Sequence, residues 1–474
     1  MRHSIILVLL AFISACGQKP EPLEKADLII TGGSIIHPDQ TAAPVVEDIV
    51  IREGKIVAVG ANISGHYDAA QIHDVSGHYI IPGLADMHSH FGNGILAPEE
   101  DDTRQVLARH LYFGNTTILN LGSFQAWPSR IDELRAQMQN GSLAGPRLLA
   151  VGSLMTMTGS HPTTTIYSPQ VQQQIKDLLA RIRTDGPIDL TPIRATTLVN
   201  TPKNVGAEVK RVGDWGAHAI KLTVESGPDD FGDDHPQMTP EMIAAGVEAA
   251  APYDIPVLCH ISSIDEIEAC LSSGAHGVVH VVTPAAPLPE DLEQRMVDAE
   301  FIVIPTGAMF EGWGRYTGDI SLLDQPALKG VLSNSERAWL SSPGMVNAFA
   351  STTEWDESVD RTRAHLKKFH DLGGMIVAGT DTGNPYRIAG LALHEEMAFY
   401  VSAGLTPREA LATATTNAAK FMKAESQWGA IKPDLSADLI ILEGNPLDDI
   451  ANTLTIVDVI KTGEIVNRTK LALH

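Results

Sequence analysis

His88 and His90 stand one residue apart at the end of the apolar run Ile81-Pro82-Gly83-Leu84-Ala85-Asp86-Met87. On a strand, alternate side chains share a face, so the two imidazoles point the same way. Imidazoles at the end of a buried strand are costly unless something uses them, and a metal ion is the usual user. Three more reactive groups also end apolar runs. His260 closes Ile255-Pro256-Val257-Leu258-Cys259, His280 closes Gly277-Val278-Val279, and Asp381 closes Ala378-Gly379-Thr380. A lone histidine in such a place is more often a satisfied core residue; the group as a whole is the candidate site. Lys221 lies inside the apolar segment Ala219-Ile220-Lys221-Leu222. A buried ammonium without a partner is expensive, so this lysine is expected to be neutralised, paired or modified.

These residues need a scaffold that brings strand ends together. Strands and helices alternate through the middle of the chain, which predicts a parallel sheet. Eight strands are nominated: Ile80 to His90, Thr116 to Gly122, Arg147 to Leu154, Ala219 to Val224, Ile255 to Ile261, Gly277 to Val281, Phe301 to Pro305 and Met375 to Asp381. Thr406 and Glu409 form a capping box ahead of a helix over Ala410 to Met422. Eight β/α units predict an α/β TIM (β/α)8 barrel, with a doubly wound sheet as the second choice. The spacers Thr156 to Lys210 and Gly307 to Gly373 are long and are expected to include loops over the barrel mouth. Both chain ends read as short strands, and Ala-Asp-Leu-Ile-Ile occurs at Ala26 to Ile30 and again at Ala437 to Ile441. The expected division is a barrel over 81–427 and a composite β-sandwich from 26–80 and 428–468.

Ile-Pro-Gly-Leu-x-Asp-x-His-x-His resembles the first-strand signature of the amidohydrolase superfamily, in particular its imidazolonepropionase-related and prolidase-like members. That resemblance implies the barrel and the composite β-domain. It also implies metal ligation by His88, His90, His260, His280 and Asp381, with Asp381 moving protons as well. Gly216-Ala217-His218-Ala219-Ile220-Lys221 resembles the fourth-strand segment of members whose lysine takes up carbon dioxide, a carbamate that bridges two cations. The alternative is Lys221 ion-paired with Asp381 or a loop carboxylate. Two positions depart from the pattern: His218 and His276 stand where aspartate is often found, and His276 rivals His280 as a ligand. Position at the end of the apolar run favours His280.

The resemblance therefore implies two divalent cations, with zinc first in view of the nitrogen and oxygen donors, and carbon dioxide on Lys221. The implied reaction is hydrolysis of an amide-type C–N bond by an activated water, in a dipeptide or N-acyl amino acid. Two other readings stay open: a cyclic-amide hydrolase or deaminase with one metal, and a non-catalytic binding lipoprotein. His161, in Thr158-Gly159-Ser160-His161-Pro162, resembles a loop histidine that contacts the substrate carbonyl; an exposed loop histidine is the plain alternative. Arg315 could grip a substrate carboxylate and Tyr316, with Trp313, an apolar side chain; lid packing is the plainer role.

Composition sets the remaining bounds. A chain of 474 residues with 44% hydrophobic and 19% charged residues is long enough for one large and one small ordered domain. A net charge of −24 argues against nucleic acid as a partner. Residues 1–16 read as a signal: Arg2, the apolar run Ile5 to Ile13, then Ile13-Ser14-Ala15-Cys16. This resembles a lipoprotein signal, in which Cys16 is acylated, with 17–25 as a tether. A plain secretory signal is the alternative. The expected location is outside the inner membrane, on the periplasmic face of the outer membrane in a Gram-negative cell, since Gly17 rather than an acidic residue follows Cys16. Cys259 and Cys270 are left, free or bonded, with Cys259 packing behind the sheet. Oligomerisation is left open.

Overall fold

The computed structural model describes residues 23–91, 103–123, 127–164, 169–182, 184–190, 196–225, 235–280, 288–318, 320–348 and 353–474. Cys16 and the expected signal over residues 1–16 lie outside the described residues. The first part of the chain forms β1 (Glu24–Ile35), β2 (Val45–Arg52), β3 (Lys55–Gly60), β4 (Tyr67–Asp74) and β5 (Tyr79–Pro82). The barrel strands follow as β6 (Leu84–Ser89), β7 (Asn115–Asn120) and β8 (Arg147–Ala150). Next come β9 (Leu154–Thr156), β10 (Ile188–Asp189), β11 (Thr196–Leu198) and β12 (Ile220–Thr223). Then come β13 (Val257–His260), β14 (Gly277–Val279) and β15 (Ile302–Ile304). The chain closes with β16 (Leu439–Leu442), β17 (Ile456–Lys461) and β18 (Glu464–Ile465).

Both chain ends share one eight-stranded sheet in the order β18-β17-β16-β5-β1-β2-β3, with β4 on β1. The two Ala-Asp-Leu-Ile-Ile segments lie in it on β1 and beside β5, and their alternate apolar residues Leu28, Ile30, Leu439 and Ile441 join one buried cluster. Period-two burial is what a one-sided strand requires.

The barrel is a ring of parallel strands. Pairing runs β6-β7-β8 and β9-β12-β13-β14-β15. The amide of His218 bonds the carbonyl of Ala150 and joins the two runs. The eighth member, 375–381, is not a continuous strand. It bridges Val303 at Ile376 and Ser89 at Thr382, and Met87 donates to its Ala378 carbonyl at 2.9 Å. Met87, Leu121, Val151, Leu258, Val279, Ile304 and Val377 fill the interior, so the barrel is a packed core and not a pore.

Four expectations are corrected in detail. Ile80 to His90 is two strands: β5 belongs to the small sheet and β6 to the barrel, with Gly83 between them. A Cβ at Gly83 would lie 2.2 Å from Thr116 Oγ1, so only glycine allows that close approach. The third strand breaks at Gly152, whose φ is 89°, and β9 beyond it pairs with β11, a strand hidden in the long spacer. The sixth strand ends at Val279, and Val281 lies outside the described residues. The capping box at Thr406 and Glu409 is present, but its helix is Pro407–Thr413, followed by a second, Thr416–Phe421. The carbonyls of Thr413 and Ala414 accept from Ala378 at 3.0 Å and Ala85 at 2.8 Å in the barrel, which takes them from the helix ladder. Among the described residues no helix is long and apolar enough to cross a membrane.

Candidate metal centre

The predicted side chains converge at the C-terminal ends of the barrel strands, where this architecture places its chemistry. His88 Nε2 lies 3.2 Å from His90 Nε2 and 3.2 Å from Asp381 Oδ1, which is 2.9 Å from His90 Nε2. Lys221 Nζ reaches His88 Nε2 at 3.0 Å. On the other side His280 Nε2 lies 3.0 Å from His260 Nδ1. The His88 and His280 rings are 4.9 Å apart between centroids, so the two groups share one chamber.

Local backbone features aim these groups. Pairing of β6 with β7 shifts register between Asp86 and Ser89. Past this irregularity His88 and His90 share the inner face, while Ser89 points out to His110 at 3.0 Å. Val279 is inside the barrel, so strict alternation would send His280 outward. A left-handed φ of 74° at His280 turns it back to the centre; Asp381 and Thr306 are also left-handed, at 54° and 51°. Such conformations cost about 1–2 kcal/mol each in non-glycine residues and cluster at functional sites. Gly379 lets the eighth segment lie against the first strand: a Cβ there would sit 2.6 Å from His88 Cβ and 2.9 Å from His88 N.

Outer partners choose the free face of each ring. His90 donates from Nδ1 to the Gly122 carbonyl at 2.7 Å, leaving Nε2 inward. His280 Nδ1 meets Thr306 Oγ1 at 2.9 Å. Asn384 Nδ2 donates to Asp381 Oδ2 at 2.7 Å, so Oδ1 is the oxygen that faces the histidines. Asp86 accepts from the amides of His88 and Thr380 and from Thr380 Oγ1, which ties the first and eighth strands together behind the site.

The electrostatics suit a cation. Burial, and then the neighbouring Lys221, hold His88 and His260 well below the ordinary histidine value. Burial and then His260 do the same for His280. All three rings are neutral and offer lone pairs. Burial alone would raise Asp381, but His88, His90 and His280 outweigh it and hold the carboxyl well below its usual range. Burial lowers Lys221 to about 8, although Asp381 and Glu225 oppose the shift. No carboxylate within ion-pair distance of Lys221 occurs among the described residues, whose closest polar partner for it is His88. Imidazole nitrogens face one another across the chamber, His88 with His90 at 3.2 Å and His260 with His280 at 3.0 Å. Four imidazoles, a carboxylate and a buried amine fit divalent cations of the zinc type.

The rival His276 and the departing His218 fall elsewhere. His276 is exposed and takes the Val257 amide on Nδ1 at 3.2 Å; His218 packs beside Arg135. His161 does reach the site. Its ring stacks on His260 with centroids 4.7 Å apart, and burial lowers it to about 3, which keeps it neutral. Arg315 and Tyr316 fall on the helix Gly307–Gly318, but their side chains, with that of Trp313, lie outside the described residues. Cys259 and Cys270 are buried free thiols.

Three contributors went unread in the sequence: Glu225, Thr306 and Asn384. Glu225 had a signal, as an acid one residue past the predicted end of a barrel strand. It lies 2.6 Å from His260 Nε2 and 3.5 Å from His161 Nδ1. His88, His90 and Asp381 form one group that could hold a metal, and His161, Glu225 and His260 another.

Comparison with known proteins identifies the family. The amidohydrolase family model matches residues 79–466. An ochratoxinase of Aspergillus niger is 25% identical over 449 residues, covering 90% of this chain and 82% of its own length. A Xaa-Pro dipeptidase with methionine bound in its active site superposes with a TM-score of 0.69 at 23% identity, covering 93% of this chain and 99% of that one. The ochratoxinase structure gives a TM-score of 0.69 at 21% identity, covering 93% and 96%. The chain belongs to the amidohydrolase family and is a metal-dependent hydrolase acting on carbon–nitrogen bonds.

Proposed function

We propose that this enzyme hydrolyses the amide bond of a dipeptide or N-acyl amino acid at a binuclear centre bridged by carboxylated Lys221. One observation carries the reading: a buried lysine amine, without a carboxylate partner among the described residues, lies in the chamber between two sets of metal donors. A lysine there does nothing for packing that leucine would not do at lower cost. As a carbamate it becomes an anion with two oxygens. His88, His90 and Asp381 would hold one cation and His260 and His280 the other. When bound, the cations polarise the substrate carbonyl and acidify a water to near neutrality.

The chain's own residues supply the rest. Asp381 accepts the proton of the attacking water and delivers it to the leaving nitrogen. The Asn384 amide fixes its carboxylate. His161, neutral beside His260, contacts the substrate carbonyl. A dipeptidase and an ochratoxinase on the same architecture support the substrate class. The same proposal holds the enzyme on a lipid anchor at Cys16, outside the inner membrane.

Metal content per chain tests it, for wild type and Lys221→Ala purified with zinc and bicarbonate. Two ions falling to one or none in the variant, with turnover on dipeptides or N-acyl amino acids, are expected. One ion in both proteins, with activity confined to cyclic amides or deamination, refutes the binuclear reading.

A further inference from the structure

We propose that Glu225 is a positioning residue for His260: its carboxylate takes the Nε2 proton and so commits Nδ1 to the cation. This deepens the binuclear reading and rests on it.

The ring of His260 is held between two contacts. Nδ1 faces His280 Nε2 at 3.0 Å, and Nε2 faces Glu225 Oε2 at 2.6 Å. The two ring nitrogens point to different sides of an imidazole. The carboxylate therefore lies behind the ring, on the side away from His280, and cannot share an ion with His260 Nδ1 and His280 Nε2. What it can do is accept a hydrogen bond from a ring N–H. A contact of 2.6 Å then requires the proton on Nε2, which leaves the Nδ1 lone pair facing the donors of His280. Neutral histidine ligands commonly pass their other N–H to a carboxylate, which fixes the tautomer and raises ligand basicity.

The charge balance points the same way. Glu225 is buried, with a side chain 5% exposed, and its ion-pair partners among the described residues are the imidazoles of His161 and His260. A buried carboxylate facing neutral rings is expensive. A cation on the far side of His260 would offset that cost, because it makes the imidazole N–H a stronger donor. The carboxylate is thus complementary to the loaded centre. Glu225 also organises the loop that brings in His161. Ser160 Oγ donates to the Glu225 carbonyl at 3.0 Å, and His161 Nδ1 comes within 3.5 Å of the same Oε2 that serves His260. Glu225 thus touches the ligand through its side chain and the loop of the ring stacked on it through its backbone carbonyl.

The test compares wild type with Glu225→Gln, which keeps an accepting carbonyl oxygen, and Glu225→Leu, which keeps none. In metal-free protein with 15N-labelled histidine, the His260 ring signals are identified by their loss in His260→Ala. We expect a protonated Nε2 and a bare Nδ1 in wild type and Glu225→Gln, and a mixture of tautomers in Glu225→Leu. Zinc affinity by competition with a chelator is expected to fall about 10–100-fold for one ion in Glu225→Leu and less than tenfold in Glu225→Gln. A His260 tautomer and zinc affinities unchanged in Glu225→Leu overturn the inference. So does a third ion lost only with Glu225, which would make the carboxylate a ligand. Wild type holding a single zinc defeats the binuclear reading instead, while the tautomer in metal-free protein still decides the role of Glu225.

Discussion

Replacing Glu396 by glutamine tests how the barrel mouth is held. Glu396 is buried on the helix Leu391–Ser402 and accepts from the amides of Gly307 and Ala308, both at 2.8 Å. These residues open the helix Gly307–Gly318 and follow Thr306, the partner of His280. The chain thus runs from a buried acid to the backbone beside a candidate ligand. Burial pushes the carboxyl up to about 7 from an ordinary 4.5, against the opposing pull of Arg387 and the two amides. The folded state therefore holds this proton more tightly than the unfolded state. Below about pH 4.5 both states are protonated and the group has no effect. Between 4.5 and 7 the unfolded chain ionises first, so stability falls as pH rises, and above 7 the full cost stays. The gap corresponds to about 3 kcal/mol. Glu396→Gln cannot ionise, but its amide group turns a donor toward one of the two N–H groups, at about 1–3 kcal/mol. Relative to wild type it should be less stable at pH 5 and should gain about 3 kcal/mol by pH 8. Urea unfolding of metal-free protein from pH 5 to 8, followed by tryptophan fluorescence, measures the difference. Parallel curves for the two proteins would refute the reasoning.

Four further outcomes are expected. Asp381→Asn should cut kcat by about 100–10,000-fold, and a variant within threefold of wild type removes the proton-transfer role. Gly379→Ala drives a methyl into His88. It should weaken metal binding by at least about tenfold, read by chelator competition; unchanged affinity would show that the eighth segment yields freely. Dialysis against a chelator should abolish activity, with zinc plus bicarbonate restoring wild type better than zinc alone; equal recovery without bicarbonate speaks against a carbamate. His276→Ala, at an exposed ring outside the cluster, should keep metal content and leave kcat within twofold, and loss of a metal would return it to the ligand set.

The sequence by itself determined which residues gather in the candidate site. His88, His90, Lys221, His260, His280 and Asp381 were legible because apolar strands ending in polar groups leave a strong pattern, and because burying such groups idly is costly. The composite sheet was legible for the same reason, from period-two burial at both ends. What tertiary structure decided lies between segments distant in sequence. Alternation from Val279 would turn His280 outward, and a left-handed φ reverses it. The helix after Thr406 breaks because Ala85 and Ala378 claim its carbonyls. The eighth segment closes the ring through a few backbone bonds and two bridges rather than a regular strand. Glu225 and Thr306 join the site through contacts with groups 35 and 26 residues away, and no periodicity marks such partners. A strand's pattern reports which face is buried, whereas the direction of a side chain at its end is set by whatever packs against it.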